Sequence, residues 1–407
     1  MRSVAETLLT FEAARAVVEK HAAGIAAVRV QNVTVSDALG RVAAEDLRAD
    51  RDYPPFPRAT RDGYAVRAAD VRSVPAQLHF IGQIKAGDSF TRTVNAGECA
   101  EIMTGAAVPN GAEAVVMVEY TRRQGDDVVI ERPAAAGENV VPSGAECRRG
   151  AIVLPRGTRL RAQEIAVAAT IGCAQLSVYD KPHVAILSTG DEVVEVDQRP
   201  GPVQIRNSNA YSLSAQIERA GGEPVRLPIA PDEKSGLRRL IEYGLSSDLL
   251  LLSGGVSMGK YDLVEQVLTD LGAEFFFTGV KIQPGKPLVF GKVRGKYFFG
   301  LPGNPVSTMV TFQLFARTIV DALASAAPQS LPFAFAQLKS EFKTKMGLTR
   351  FLPARLIPDI AQPQVEFVPW NGSGDVFAQS KADCLIVIPP DREKIAAGTM
   401  VSILPLQ

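Results

Sequence analysis

Three residue types are scarce in this 407-residue chain, which contains three histidines, four cysteines and one tryptophan. The histidines stand far apart, which excludes the HExxH motif and histidine-rich metal sites. The cysteines form no CxxC pair, a pattern typical of reduced thiols rather than of a disulfide framework or a zinc site. Reduced thiols are expected in a cytoplasmic protein.

An excess of charge is also missing, because 44 lysines and arginines balance 44 aspartates and glutamates. Binding to nucleic acid or to a membrane surface needs a basic excess, so we expect neither partner. No apolar run approaches the roughly 18 residues of a transmembrane span, and the N-terminal segment lacks the apolar core of a signal peptide. We therefore expect a cytoplasmic protein of two to four domains, at roughly 150 residues per domain.

The first part of the chain indicates a domain interrupted by an insertion. A proline-rich crossing at 50–64 excludes a helix there. Short strands cut by glycine and proline then continue to residue 146. Residues 147–180 have no core of their own, so we expect them to pack with the N-terminal helix. The predicted domains are residues 1–51 with 147–180, 52–146, 181–327 and 328–407.

The region 181–327 alternates strands with helices, which predicts a doubly wound α/β domain. The segment 248–253 is continuously apolar, as in a parallel sheet covered on both faces. Asn304 followed by Pro305 predicts a strong helix start, and Asp232 is well placed to cap another helix. Residues 328–407 indicate a small terminal β-domain.

Five polar or glycine-rich loops are expected at the carboxyl ends of the strands of this α/β domain. Ligands of open α/β sheets bind beyond those ends, so we expect a binding site there. The loops are TGDE (189–192), PDE (231–233), SGGVSMGKYD (253–262), PGKP (284–287) and GLPGNP (300–305).

Two of these loops suit an anion. The glycines after residue 253 can bring backbone N–H groups close to a phosphate, and the helix that begins at 305 offers the positive end of its dipole. Nearby carboxylates would repel an anion unless a cation intervenes, and Mg²⁺ is the expected cation. For any one of these acids alone, capping or solvation is the favoured explanation, but not for Glu192 and Asp262 within their full motifs. The acids are Asp191, Glu192, Asp232, Glu233 and Asp262.

A P-loop is the competing interpretation of the segment 254–260. GGVSMGK matches GxxxxGK, but Tyr261 stands where serine or threonine would hold the metal. The segment also follows the third strand of its domain rather than the first. A P-loop-like nucleotide-binding protein is therefore the less favoured alternative.

Taken together, six sequence strings resemble the molybdopterin molybdenumtransferase family, which includes the C-terminal part of gephyrin. The resemblance spans almost the whole chain in order. It implies a discontinuous first domain, an inserted β-rich domain, an α/β molybdopterin-binding domain, a C-terminal β-barrel and an elongated homodimer. The strings are RDGYAVR (61–67), IMTGAAVPNGAEAVV (102–116), STGDE (188–192), SGGVSMGKYD (253–262), PGKP (284–287) and GLPGNPVS (300–307).

The family's reaction would take adenylylated molybdopterin and molybdate and yield molybdenum cofactor and AMP. Asp62, Thr104, Glu192 and Asp262 would be catalytic. Glu192, Asp232, Glu233 and Asp262 would surround Mg²⁺. The implied substrate-binding residues are Asn209, Asp232, Ser253, Gly254, Gly255, Ser257, Lys286, Pro302, Gly303 and Asn304.

The implied partners are the two substrates and a second copy of the chain, with molybdopterin adenylyltransferase and downstream cofactor-maturation proteins as candidate protein partners. A non-catalytic molybdopterin-binding or scaffold protein is the alternative from another class. The retained carboxylates favour the enzyme, because a pure binder could afford to lose them.

Three places depart from the family pattern. The run 58–61 (Arg-Ala-Thr-Arg) replaces an Asn-Ser-Ala-Met run, Glu146 replaces the aspartate of an acidic motif, and Gln283 replaces a common lysine. These changes bear on anion affinity rather than on the class of reaction. Arg58 and Arg61 are candidates to offset the missing lysine.

Overall fold

A computed structural model describes residues 8–26, 29–255 and 263–406. The described residues form two compact units, one drawn from 1–44, 157–161 and 176–407 and the other from 45–156 and 162–175. None of the described helices is both long and apolar enough to cross a membrane.

A six-stranded sheet lies at the centre of the first unit. Four neighbouring strands run parallel. The last two follow at one side, and each pairs antiparallel with the strand before it in the sheet. The strand order is Glu223–Arg226, His183–Ser188, Leu249–Ser253, Lys296–Leu301, Val289–Val293 and Glu274–Phe277.

Both faces of this sheet are covered, because successive side chains of a strand point to opposite sides. Leu249 and Leu251 belong to the core under one face, whereas Leu250 and Leu252 belong to the core under the other. The prediction of a doubly wound α/β domain is thereby confirmed. Helices Phe11–Ala23, Ser208–Arg219, Pro305–Thr311 and Arg317–Leu323 cover the first face, and Lys234–Gly244 and Leu263–Asp270 cover the second.

The helix that begins at Pro305 is interrupted but not ended by a π-helical segment, Phe312–Ala316. Asn304 is its N-cap residue and Pro305 lies in its first turn, as predicted. The guanidinium of buried Arg15 donates to the carbonyl of Leu314 within the π-helical segment and to Thr318 Oγ1 just after it. A side chain from another helix thus supplies donors at the irregular turn.

One predicted helix cap is wrong by a single residue. Glu233, not Asp232, caps the helix Lys234–Gly244, and its carboxylate accepts from the backbone N–H groups of Ser235 and Gly236. Glutamate replaces aspartate in this role because its longer side chain folds back over the first turn.

The C-terminal strands close into a barrel, in agreement with the resemblance. Thr349–Ile357 pairs with both Gln364–Phe367 and Cys384–Ile388, which joins the two ends of the sheet. Ile282–Gln283 adds a parallel edge strand to Thr349–Ile357. The remaining barrel strands are Ala334–Leu338 and Met400–Pro405, and nearby lie the short helix Val376–Gln379 and the pair Phe342–Lys343 with Lys394–Ile395.

Three short strand pairs and a 3₁₀ turn complete the first unit. The turn is Val35–Asp37. The pairs are Leu8–Leu9 with Gly279–Val280, Val30–Thr34 with Gln175–Tyr179, and Val193–Val194 with Ile205–Arg206.

The second unit is built on another six-stranded sheet, as predicted for the β-rich insertion. Gly63 is needed in it, because a Cβ at this position would lie 1.9 Å from the carbonyl oxygen of Val116. The strand order is Ala114–Met117, Gly63–Val66, Glu98–Ile102, Ala76–Ile84, Asp127–Ile130 and Thr121–Gln124. Around the sheet lie Leu47–Arg48 with Ile152–Leu154, Arg58–Ala59 with Val140–Val141, the helix Ala162–Thr170 and the 3₁₀ turns Ala68–Val71 and Val118–Tyr120. The predicted boundaries of the four domains remain a prediction.

Candidate functional site

A cavity of about 690 Å³ opens at the carboxyl ends of the parallel strands in the first unit. Strand His183–Ser188 is followed in sequence by its neighbour on one side, Glu223–Arg226, and then by its neighbour on the other side, Leu249–Ser253. This change of direction is the topological switch point, where α/β sheets bind ligands.

Four of the five predicted loops contribute to the cavity wall, and the loop 231–233 does not. The structure therefore brings together most of the predicted substrate-binding residues. Those that line the cavity are Asn209, Ser253, Gly254, Gly255, Lys286, Pro302, Gly303 and Asn304, and Glu192, a predicted catalytic residue and metal ligand, lines it too.

Gly254 and Gly255 allow the backbone to pass close to Thr189. Both have left-handed backbone, with φ of +92° and +62°. A Cβ on Gly254 would lie 2.8 Å from the Thr189 carbonyl oxygen, and one on Gly255 would lie 2.7 Å from Thr189 Oγ1. Only glycine meets both requirements without strain.

Two asparagines at the start of helix Ser208–Arg219 connect the loops. Asn207 caps the helix, and its Oδ1 also accepts from Ser188 Oγ at 2.9 Å. Asn209 Nδ2 donates to Ser253 Oγ at 2.8 Å and to the Gly303 carbonyl oxygen at 2.7 Å. One helix start therefore contacts the last residues of two strands and the loop that follows a third.

The barrel also contributes to the wall. Asn304 Nδ2 donates to Ser373 Oγ at 2.8 Å, and the Val306 N–H donates to the Ser373 carbonyl at 3.0 Å. Trp370 and Ser373 both line the cavity. Our sequence analysis missed these two residues. Their signal was the only tryptophan of the chain, followed directly by the turn-forming run Asn-Gly-Ser-Gly.

Among the described residues that line the cavity, Glu192 is the one carboxylate, and Arg206 and Lys286 are the cations. The Glu192 carboxylate lies over Gly190, where a Cβ would be only 2.5 Å from its Oε2. In the described part of the chain no hydrogen bond or ion pair involves this carboxylate. It is therefore available to a ligand.

Arg350 is a buried cation next to the cavity, with 6% of its surface exposed. Its Nε donates to Gln283 Oε1 at 2.7 Å and its Nη1 to the Leu348 carbonyl at 3.1 Å, and both acceptors belong to lining residues. Burial lowers the pKa of Arg350. Within the described residues no carboxylate forms an ion pair with it, so this buried charge has no protein counter-ion there.

The other predicted acids of this rim that the structure describes, Asp191, Asp232 and Glu233, are engaged locally. Asp191 and Asp232 exchange hydrogen bonds between carboxylate and backbone N–H, at 3.4 and 3.1 Å. Hydrogen bonds from the Ser235 side chain, and then from the backbone of Ser235 and Gly236, lower the pKa of Glu233. Among the residues that the structure describes, no group of three acids, histidines or cysteines is arranged to hold a metal ion.

A single carboxylate is nevertheless compatible with Mg²⁺, which often binds one or two protein carboxylates and takes its other ligands from phosphates and water. Carboxylate oxygen is a ligand that hard cations prefer, so Glu192 suits Mg²⁺ better than it suits a soft metal ion.

Asp62 and Thr104 lie together in the second unit. Thr104 donates both its backbone N–H, at 2.6 Å, and its hydroxyl, at 2.7 Å, to Asp62 Oδ1. The backbone bond and then the hydroxyl bond lower the pKa of Asp62, so the carboxylate is held in its charged form.

Two of the departures from the family pattern meet in this unit, because Arg58 Nη2 lies 2.8 Å from Glu146 Oε1. Arg58 is thus partly neutralised. Ser257 and Asp262 lie outside the described residues. The catalytic, substrate-binding and metal-binding roles assigned to individual residues remain predictions.

Comparisons with known proteins agree with this architecture. Three family models match in order: the MoeA N-terminal region (domain I and II) at residues 9–172, a probable molybdopterin binding domain at 185–322, and the MoeA C-terminal region (domain IV) at 336–406.

Two curated relatives named molybdopterin molybdenumtransferase are similar over most of their length. The Nostoc protein is 35% identical over 380 residues, covering 91% of this chain and 87% of its own. The Staphylococcus aureus protein is 33% identical over 377 residues, covering 91% and 90%.

A solved structure of a molybdopterin biosynthesis MoeA protein from Pyrococcus horikoshii is 32% identical, with a TM-score of 0.72 and coverage of 98% of this chain and 99% of its own. A second MoeA structure from that organism has a TM-score of 0.77 at 28% identity, with coverage of 98% and 100%. The matches span the inserted unit, the α/β sheet and the barrel alike. This chain therefore belongs to the molybdopterin molybdenumtransferase family of molybdenum cofactor biosynthesis enzymes.

Proposed function

We propose that this protein inserts molybdate into adenylylated molybdopterin and releases molybdenum cofactor and AMP. The observation that carries the proposal is the cavity at the switch point, which combines close-packed glycine loops, cationic side chains and one unpaired carboxylate. Water attacks the adenylyl phosphorus, the bridging P–O bond of the anhydride breaks and AMP departs, while molybdate binds the two dithiolene thiols of the pterin and loses one oxygen with their protons as water. Both substrates are anions, so the site must balance negative charge.

Three features of the chain would bind these anions. Lys286 lines the cavity, and the buried charge of Arg350 lies behind two lining residues. The helix that begins at Pro305 directs its positive end toward the cavity. Asn304 gives its side chain to Ser373, so no side chain caps that helix end. Gln283 accepts from Arg350, whereas a lysine at that position would place a second positive charge beside it.

Glu192 would hold Mg²⁺ at this cavity. The bound cation would neutralise phosphate charge and thereby reduce the repulsion between the ligand and the Glu192 carboxylate. Asp232 and Glu233 would serve the turns in which they lie, since local hydrogen bonds already engage their carboxylates.

Asp62 and Thr104 would complete the site from a second copy of the chain, in a cytoplasmic homodimer. The inserted unit carries this charged pair, whereas the glycine loops that suit a phosphate belong to the other unit. Molybdopterin adenylyltransferase, which would make the substrate, and downstream cofactor-maturation proteins, which would use the product, are the proposed protein partners.

Release of AMP tests the proposed reaction. Purified protein with adenylylated molybdopterin, molybdate and Mg²⁺ should release AMP, and omission of molybdate should prevent formation of molybdenum cofactor. If the protein binds molybdopterin but releases no AMP above the protein-free control, it is a binding or scaffold protein instead.

Complementation tests the shared site. Asp62→Ala and Glu192→Ala subunits should each be inactive alone, and mixing them should restore part of the activity, because some dimers then contain one intact site. Failure of the mixture, with both variants dimeric and folded, would contradict a site shared between subunits.

A further inference from the structure

The amide of Asn209 has a defined orientation. Gly303 contributes a carbonyl oxygen, which can only accept, so the Nδ2 group of Asn209 must face it. The same Nδ2 also donates to Ser253 Oγ, and the two bonds use both of its hydrogens. The Oδ1 atom is buried, and no described residue donates to it. The side chain therefore acts as a double donor.

The two acceptors of the Asn209 amide belong to different segments, 253–255 and 302–304, which lie close together. The Gly254 N–H lies 3.4 Å from the Leu301 carbonyl oxygen. A Cβ on Gly303 would lie 3.5 Å from the Cα of Gly254. These two glycine-containing loops face each other across the cavity wall with little side chain between them, and the Asn209 amide bonds to both.

We propose that Asn209 is a positioning residue, which fixes the separation of the loops 253–255 and 302–304 before substrate binds. The inference rests on the proposed function of the same cavity. Because the Asn209 amide donates to both loops, it sets the position of their glycine backbone relative to a bound ligand. Misplacing such groups by about 1 Å can cost on the order of a hundredfold in rate.

Gln216 offers a matched control on the same helix. Its Nε2 donates to the Met309 carbonyl at 3.1 Å, and its buried Oε1 likewise accepts from no residue in the described part of the chain. Gln216 is not among the residues that line the cavity at the carboxyl ends of the parallel strands. Gln216→Ala thus removes a similar amide bond to a backbone carbonyl, about two turns from the site.

Three variants separate donation from packing. Asn209→Ala should lower kcat/KM for AMP release about 10- to 100-fold, with a melting temperature close to that of Gln216→Ala. Asn209→Asp keeps the shape but loses the donors near neutral pH, so it should be as defective as the alanine variant. Gln216→Ala should retain kcat/KM within about twofold. An active Asn209→Asp variant, or an equal loss in Gln216→Ala, would overturn the proposal.

Hydrogen exchange provides a readout that does not depend on the reaction. In the ligand-free protein, the backbone amides of peptides covering 300–305 should exchange faster in Asn209→Ala than in wild type, and unchanged in Gln216→Ala. Unaltered exchange in Asn209→Ala would refute the positioning role. A wild-type protein that releases no AMP would instead refute the proposed function and leave the exchange comparison valid.

Discussion

Two acid-containing turns follow neighbouring parallel strands of the α/β sheet, and they use their carboxylates differently. The turn 189–192 places Glu192 in the cavity wall, over Gly190 and with no described partner. The turn 231–236 directs Glu233 back onto its own helix, where three donors from Ser235 and Gly236 hold it.

The difference shows that the local supply of donors, rather than the acid itself, decides which carboxylate can serve a ligand. Glu233 is followed by a helix start, whose free N–H groups attract a carboxylate. Gly190 stands two residues before Glu192, and the Glu192 side chain lies over it without meeting a described donor. The contrast can be tested at the cation, at Glu192, at Gly190 and at Glu233.

Removal of Mg²⁺ should abolish AMP release without lowering the melting temperature, because the cation acts on the charge of the ligand. When Mg²⁺ is titrated back, Glu192→Gln should need a higher Mg²⁺ concentration than wild type for half-maximal AMP release. Glu233→Gln should need the same concentration as wild type. Full turnover after thorough chelation would contradict this expectation, as would a shift in the Glu233 variant alone.

Glu192→Gln should lower kcat about a hundredfold or more, because it removes a charge from a partly enclosed site. The melting temperature should change little, since no described hydrogen bond is lost. Steady-state AMP release and thermal unfolding of the same preparation measure both effects. Near-normal turnover would return Glu192 to the role of a surface charge.

Gly190→Ala should reduce kcat about tenfold, as expected when a catalytic group is displaced by a fraction of an ångström. The new Cβ would meet the Glu192 carboxylate, and φ at this position is +127°. Gly295→Ala is the control, because Gly295 also has positive φ, +82°, but open space around it. Equal losses of turnover in both variants would point to general strain instead.

Glu233→Gln should alter turnover less than about twofold, as is usual for a surface change, but it should alter the pH dependence of stability. The pKa of Glu233 is lowered in the folded protein. Its stabilisation is therefore present above the ordinary pKa of glutamate and is lost as pH falls through the lowered value. Melting curves of wild type and variant should differ near neutral pH and converge in acid. Parallel curves would show that the cap contributes nothing through its charge.

The features that sequence predicted correctly are those with local causes. The apolar run at 249–253 and the Asn304–Pro305 helix start depend on neighbouring residues, and both were predicted correctly. The glycine loops were placed on the correct rim because parallel strands end on the same side. The sequence predicted the N-cap of helix Lys234–Gly244 at Asp232, one residue before the observed cap Glu233, because adjacent acidic residues are both candidates for that role.

The rest of the site depends on contacts between distant segments. Ser373 reaches the cavity through a barrel loop 69 residues from its partner Asn304. Arg350 meets Gln283 across a similar separation of 67 residues. No periodicity or spacing encodes such contacts, because they follow from the way the barrel packs against the α/β sheet.

The closed barrel has a consequence for how the protein matures on the ribosome. Met400–Pro405 pairs with Ala334–Leu338 on one side and Cys384–Ile388 on the other, so the barrel cannot close until this strand has been synthesised. The loop that carries Trp370 and Ser373 lies between two strands of this barrel, Gln364–Phe367 and Cys384–Ile388. A nascent chain with a finished α/β sheet would still have an incomplete pocket wall, and competence to bind substrate should arise only after Met400–Pro405 has left the ribosome and paired.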